Sequence, residues 1–346
     1  MAEEDLLLAD ATARLIAQKL SEDAQAQAEQ GHWPAALWQD FADMQLHLIL
    51  APQEAGGFGM QAHNAMPTFR LLGAHAVPLP LVDTIIANGL LGKAGLALAD
   101  GPAALIPAGQ LQLRKNDAGY HISGQAKRVA WGRNVQYLVA EVDGKICRIA
   151  QGWQCTEEGR NLAGHPRDLL TVDAQLSADQ VADMPKGLDI LGHGAAARAI
   201  LAAGAMQSAL QLTVNHTSTR IAFGKPLSKQ QAVQQDIARV ATALAATSAS
   251  ADMAADALDD DNAPRATLRV AAARTRISEA SQLAHSISQQ SHGAIGFTRE
   301  YRLHLFTRPL LAWRDEFGSY AHWALILGDA ALAAGGDGYW PMVTAA

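Results

Sequence analysis

Cysteine is nearly missing from this sequence: Cys147 and Cys155 are the only two in 346 residues. Their C-x7-C spacing matches no common metal-site pattern, and two thiols are too few for a disulfide scaffold. A reducing, cytoplasmic setting is therefore the default reading, with no metal ligand set expected. Long basic runs are missing too. With 27 Lys and Arg against 34 Asp and Glu the formal charge is −7, and nothing in that pattern attracts nucleic acid. No apolar run of membrane-spanning length is free of polar residues. The most apolar stretch, Ala195 to Leu212, contains Arg198, Gln207 and Gln211, and with its many alanines it reads as a buried soluble helix, not a membrane span. The opening residues, MAEEDLLLADATARL, are acidic and amphipathic, unlike a secretion signal. No internal repeat is evident.

What is present is ordinary in bulk and specific in detail. Hydrophobic residues make up 49% and charged residues 18%, the balance of a soluble globular protein. A chain of this length exceeds one minimal core and predicts two or three structural units. Residues 1 to about 95 read as helices, with Leu6, Leu7, Leu8, Ala11, Leu15, Ile16 and Leu20 at helical spacing. Helices are also expected over Asn64 to Ala76 and Pro80 to Ala94, after a Pro/Gly-rich loop at 51–60. The periodicity changes near Gly101. Short β-type runs then alternate with turns, among them Asn116-Asp117 with Gly119, and Asp143-Gly144. Near Gly187 the helical period returns, predicting long helices over 194–221, 229–259 and 264–290, and a helical region from about 301 to 334. The run Asp259-Asp260-Asp261 with Pro264 separates the second from the third. The expected domains are 1–100 (helical), 101–185 (β) and 186–346 (helical bundle).

Four local motifs lie along this layout. Pro52-Gln53-Glu54-Ala55-Gly56-Gly57-Phe58-Gly59 is a glycine-rich loop. Gly119-Tyr120-His121-Ile122-Ser123-Gly124 opens a hairpin strand. Arg220 stands three residues before Phe223-Gly224-Lys225-Pro226, where one long helical pattern gives way to the next. Gln290-Ser291-His292-Gly293-Ala294-Ile295-Gly296-Phe297 closes the third long helix. The arginine offers a planar fork of donors suited to phosphate oxygens. Glycine backbone lets a ligand approach closely, and a glutamine side chain can both donate and accept toward a nucleotide edge.

In order and spacing these motifs resemble those of the acyl-CoA dehydrogenase family. The resemblance implies an α+β multidomain fold with an N-terminal helical domain, a middle antiparallel β-barrel and a C-terminal four-helix bundle. It implies FAD as cofactor and an acyl-CoA as substrate. Arg220, Phe223, Leu227, Gln230 and Val233 would contact the adenine and pyrophosphate end of FAD, and Gln290 and Gly293 would do so from a neighbouring subunit. Trp131 stands where the family places a segment over the flavin ring. The implied assembly is a homo-oligomer, or a heterotetramer with a second acyl-CoA dehydrogenase subunit, and the implied electron acceptor is an electron-transfer flavoprotein.

The family removes the substrate α-proton with a glutamate, at one of two positions. One falls here on Ala197, within Ala196-Ala197-Arg198-Ala199-Ile200, and alanine moves no proton. The other falls on Glu316, in Arg314-Asp315-Glu316-Phe317-Gly318-Ser319, which makes Glu316 the candidate catalytic base, expected in an apolar pocket. The family's Thr-Glu-Pro-x-x-Gly-Ser-Asp segment has no counterpart, since residues 95–110 read GLALADGPAALIPAGQ, and Ala294 replaces a glycine. These departures are similar to the short subunits of heteromeric members that act on CoA thioesters of fatty acids or steroid side chains, where one subunit can lack a complete site. The alternative expectation is thus a non-catalytic subunit that completes its partner's flavin site.

Overall fold

The computed structural model describes residues 3–222 and 224–345. These form two compact units. The first comprises the residues up to Pro67, Val77–Gly194 and Asp261–Ala263, and the second Thr68–Ala76, Ala195–Asp260 and the residues from Pro264 onward. Apart from the end of α4, the N-terminal helices and the β region, expected as separate domains, fall within one unit.

Helices α1 (Glu3–Lys19), α2 (Glu22–Glu29), α3 (Ala35–Asp43), α4 (Ala62–Ala74) and α5 (Leu81–Lys93) precede the strands. The Ser21 hydroxyl accepts from the Ala24 N–H and so caps α2. Helix α5 is buried from Leu81 to Leu91 and carries polar anchors inside. Asn88 donates to the carbonyls of His47 and Ala99 and accepts from the Ala99 N–H at 2.7 Å. Thr84 accepts from the Ala103 N–H at 2.9 Å. Two side chains thus satisfy backbone groups of the connection into the first strand, groups that would otherwise cost free energy when buried. These bonds make helix and sheet one unit.

Strands β1 (Ala103–Ile106), β2 (Leu111–Asn116), β3 (Gly119–Ala130), β4 (Tyr137–Val142), β5 (Lys145–Ile149), β6 (Trp153–Glu157), β7 (Arg167–Leu176) and β8 (Val181–Asp183) form two four-stranded sheets. Their orders are β1-β4-β5-β8 and β2-β3-β7-β6. The helical, β and helical order is as expected, while the β part departs from an antiparallel barrel in detail: β1 pairs with β4 in parallel, and the β2–β3 hairpin that intervenes in sequence joins the other sheet. Both expected hairpin turns are present, with Asn116 opposite Gly119 and Val142 opposite Lys145. At the second turn Asp143 and Gly144 both have positive φ, the conformation that a two-residue hairpin matched to strand twist requires. The sheets share one core, to which Ile106, Ile122, Val129, Leu138, Leu170 and Trp131 contribute.

The second unit is built on α6 (Ile190–Thr219, whose first turns belong to the first unit), α7 (Gln231–Leu258), α8 (Ala263–His292), α9 (His304–Arg314) and α10 (Tyr320–Ala345). Alanines let α6 bury almost every side chain from Ala195 to Met206. Its partner is the end of α4. A Cβ on Gly73 would lie 2.1 Å from the Leu201 carbonyl oxygen, and one on Gly204 would lie 2.0 Å from that of Arg70, so only glycine permits this approach. Among the described residues no helix is long and apolar enough to cross a membrane.

His193, near the start of α6, is 7% exposed, and its Nδ1 lies 2.9 Å from the Asp189 carbonyl. Burial pulls its pKa down to about 4. Its folded-state pKa is thus below the unfolded value, so its neutral form contributes stability above about pH 6.5 that is lost as pH falls toward 4. Thermal unfolding between pH 8 and pH 5 should show a loss of about 2 kcal/mol at the acid end that His193→Asn removes.

Candidate functional site

The expected flavin signature begins where α6 stops. Arg220 follows the last helical residue, and its carbonyl accepts from the Leu227 N–H at 2.9 Å, closing a tight connection into α7. Ile221–Ala222 and Lys225–Pro226 pair as two short strands across it. Phe223 lies outside the described residues. Leu227 and Val233 are half-buried, while Arg220 is exposed. Gln230 precedes α7 with its amide nitrogen buried and without a hydrogen-bond partner among the described residues. A buried donor in that state calls for an acceptor.

The second motif sits at the end of α8. Gln290 and Gly293 are exposed, and the space where Gly293 would carry a Cβ is open. Ile295 and Phe297 beside them are also exposed. The two motifs adjoin. His216 of α6 stacks on His292 of α8 with ring centroids 4.4 Å apart, and Tyr301 lies 4.9 Å from the His292 ring. Burial lowers the pKa of both histidines, and Arg220 and His292 push His216 the same way, so the stack is neutral at pH 7. Arg220, Gln290 and Gly293 thus stand exposed at helix ends, and Gln230 stands at the start of α7. An exposed guanidinium, an orphaned amide donor and open glycine backbone fit a dinucleotide with its diphosphate.

Trp131 is placed otherwise. It is 2% exposed, in the core of the first unit, with the Trp33 ring edge-on at 5.3 Å. Its neighbour Arg133 is pinned to the fully buried Asp168, through its backbone N–H at 2.9 Å and Nε at 3.1 Å, and it also pairs with Glu158. At 2% exposure the ring lies in the core of this chain, where a contact with the flavin was expected.

Glu316 is buried, with 6% of its surface exposed. Its surroundings are charged where an apolar pocket was expected. Arg198 donates from Nε to Glu316 Oε2 at 2.7 Å, and the Arg198 guanidinium lies 5.0 Å above the Phe317 ring. Arg198 follows Ala197, so the two family positions for the base meet at one place in the second unit, and only one of them carries a carboxylate. A second arginine completes the cluster. Arg274 of α8 is 1% exposed, and burial together with nearby Arg198 pulls its pKa down to about 10, so it stays charged at neutral pH. Sequence reasoning missed Arg274, although an arginine among Val270, Ala273, Ile277 and Ala280 is a charge on an otherwise apolar helix face, and that was a usable signal. Beside this turn runs an open groove of ≈ 520 Å³ lined by Ser278, Glu279, Gln282, Arg314, Ser319 and Tyr320.

Two family models match the chain. Residues 2–95 match the N-terminal domain of acyl-CoA dehydrogenases and residues 188–331 match the C-terminal domain. The chain belongs to the acyl-CoA dehydrogenase family, a family of FAD-dependent oxidoreductases. Among curated proteins it is similar to acyl-CoA dehydrogenase IpdE2 of Mycobacterium tuberculosis, with 27% identity over 311 residues, 88% of this chain and 90% of that protein. Among solved structures it is similar to the ChsE4-ChsE5 complex from Mycobacterium tuberculosis (TM-score 0.85, 18% identity, 96% of this chain and 98% of that one). It is also similar to a variant of the Tcur3481-Tcur3483 steroid ACAD (TM-score 0.84, 20% identity, 96% and 99%). At these identities the structural likeness is one of fold.

Two outcomes are expected from this geometry. Arg198→Met should lower stability by about 3–5 kcal/mol, because it removes a partner from the buried Glu316 carboxylate. The double change Arg198→Met with Glu316→Leu should cost clearly less in denaturant unfolding, since the buried carboxylate is then removed together with its partner. Arg220→Ala should weaken FAD binding by about 1.5–3 kcal/mol through loss of a charge-assisted hydrogen bond, as read by titrating apoprotein with FAD. Unchanged affinity would make Arg220 a plain surface residue.

Proposed function

We propose that this chain is a subunit of an acyl-CoA dehydrogenase that oxidises the Cα–Cβ bond of an acyl thioester, with Glu316 accepting the α-proton. One buried carboxylate held on a fixed turn, at the one base position that carries a carboxylate, carries this reading. Bound FAD supplies the acceptor for the β-hydride. Arg220, Leu227, Gln230 and Val233 hold the cofactor from one chain, with Phe223 beside them in sequence, while Gln290 and Gly293 serve it across a subunit interface. Arg198 keeps the carboxylate in place before substrate arrives, and its contact with Oε2 loosens as the proton transfers.

Two further features support an oligomer. Helix α10 leaves Leu325 (66%), Leu332 (83%) and Trp340 (68%) exposed, and apolar surface of that kind marks an interaction face. The structural neighbours include a complex of two named subunits, which makes a second acyl-CoA dehydrogenase chain the first candidate to cover it. The steroid neighbour makes steroid side-chain thioesters the first substrates to test, before straight-chain fatty acyl-CoA. An electron-transfer flavoprotein is the proposed acceptor. The unpaired thiols of Cys147 and Cys155 agree with a cytoplasmic setting.

A second reading is favoured by one observation: the only carboxylate at either base position is already committed to Arg198. On that reading the chain completes its partner's site and oxidises nothing itself. Anaerobic mixing of FAD-loaded protein with butyryl-CoA, octanoyl-CoA and a steroid side-chain CoA thioester separates the two. Bleaching of the flavin band that Glu316→Gln slows about 10²–10⁴-fold, with FAD still bound, supports the base. No bleaching by the chain alone, together with bleaching when it is co-purified with a second subunit and no effect of Glu316→Gln, makes it the non-catalytic partner.

A further inference from the structure

The turn that carries Glu316 does not hold its own shape by backbone hydrogen bonds alone. Phe317 and Gly318 both have positive φ, at 53° and 92°, and a phenylalanine there is strained. The carbonyls of this turn point inward, and two side chains collect them. Arg274 Nη2 donates to the carbonyl oxygens of Trp313 at 2.9 Å, Arg314 at 3.0 Å, Glu316 at 2.9 Å and Gly318 at 3.1 Å. Trp323 Nε1 donates to that of Phe317 at 3.0 Å. Five of the six carbonyls from 313 to 318 therefore end on Arg274 or Trp323. With the carbonyls drawn to α8 and α10, the Glu316 side chain is left on the side of α6, where Arg198 meets it.

We infer that Arg274 is a positioning residue, which fixes the 313–318 turn through its carbonyl oxygens and so sets where the Glu316 carboxylate stands. It touches neither substrate nor cofactor in this assignment and acts through the turn. The inference rests on the reading of Glu316 as the proton acceptor for its effect on rate, but its effect on the turn is independent of that reading. The side chain's role is to supply several donors and one positive charge at a single point. All four contacts fall on Nη2, whose two N–H groups are shared among the four oxygens; a lysine ammonium keeps the charge and three donors on a shorter reach, whereas glutamine keeps two donors and loses the charge.

The test compares R274Q, R274K and E316Q as FAD-loaded proteins. Deuterium uptake over 313–319, followed by mass spectrometry, reads the turn directly. Anaerobic flavin bleaching by whichever of the three thioesters reduces the wild type reads the carboxylate's placement. In R274Q uptake should rise over 313–319 and not elsewhere, and bleaching should slow about 10²-fold with FAD content and half-saturating thioester concentration unchanged, the size of effect expected for a catalytic group displaced by about 1 Å. R274K should lose about 10-fold in the same parameter, and R274K on the E316Q background should be no slower than E316Q alone. Unchanged uptake at 313–319 in R274Q overturns the inference. So does a loss traced wholly to shed FAD, to weaker thioester binding or to uptake raised throughout the chain. Should R274Q not fold, R274K decides: slower bleaching at unchanged half-saturation supports the assignment, and wild-type behaviour overturns it. Wild-type bleaching in E316Q, or no bleaching by any of the thioesters, sinks the reading of Glu316 as base; deuterium uptake alone then decides the role of Arg274.

Discussion

Two guanidinium groups and one carboxylate, taken out of water inside the second unit, govern the arrangement of everything near the candidate base. Arg198, Arg274 and Glu316 are each under 10% exposed. Charges so placed are tolerated only when every one is engaged. Arg198 is engaged by Glu316 and the Phe317 face, and Arg274 by four carbonyls. The glycine contacts that seat α6 on the end of α4, and the alanines that let α6 be buried, put Arg198 at a fixed depth. The turn after α9 brings the carboxylate to it. Packing is therefore the means and charge satisfaction the constraint.

The long helices were legible to within a few residues. The pattern read at 229–259 is the helix Gln231–Leu258, and the pattern at 264–290 is Ala263–His292. Sustained 3.6-residue periodicity and the Asp259–Pro264 break mark those ends locally, so no tertiary information was needed. The hairpin turns were legible for the same reason, because Asn, Asp and Gly state their own backbone preference. The division of strands between two sheets was not. Whether Ala103 pairs with Tyr137, 34 residues on and in parallel, depends on where the intervening hairpin goes, and no short-range pattern records it.

Among the site residues the contrast is similar. Arg220, Gln290 and Gly293 come from contiguous motifs, and the structure puts them at exposed helix ends. Trp131 was assigned by its position in a motif that this chain has rewritten, and burial beside Trp33 gives it another task. Glu316 could be picked out as a candidate, but its environment could not be, since Arg198 lies 118 residues away in sequence. Arg274 was visible only as an anomaly, a charge on an apolar face whose partners lie 39 to 44 residues further on.

Those separations bear on the order of events as the chain folds. A contact between positions 198 and 316 closes a long loop, and the Arg274 bonds need α8 and α9 already in place. The buried charges thus meet late, after the helices have packed. Until then each stays hydrated, and the compact chain has every reason to stay open at that point. Interactions made after the rate-limiting step act mainly on unfolding. The cluster then works as a latch: it does little to hasten assembly, and it slows the escape of a chain that has assembled.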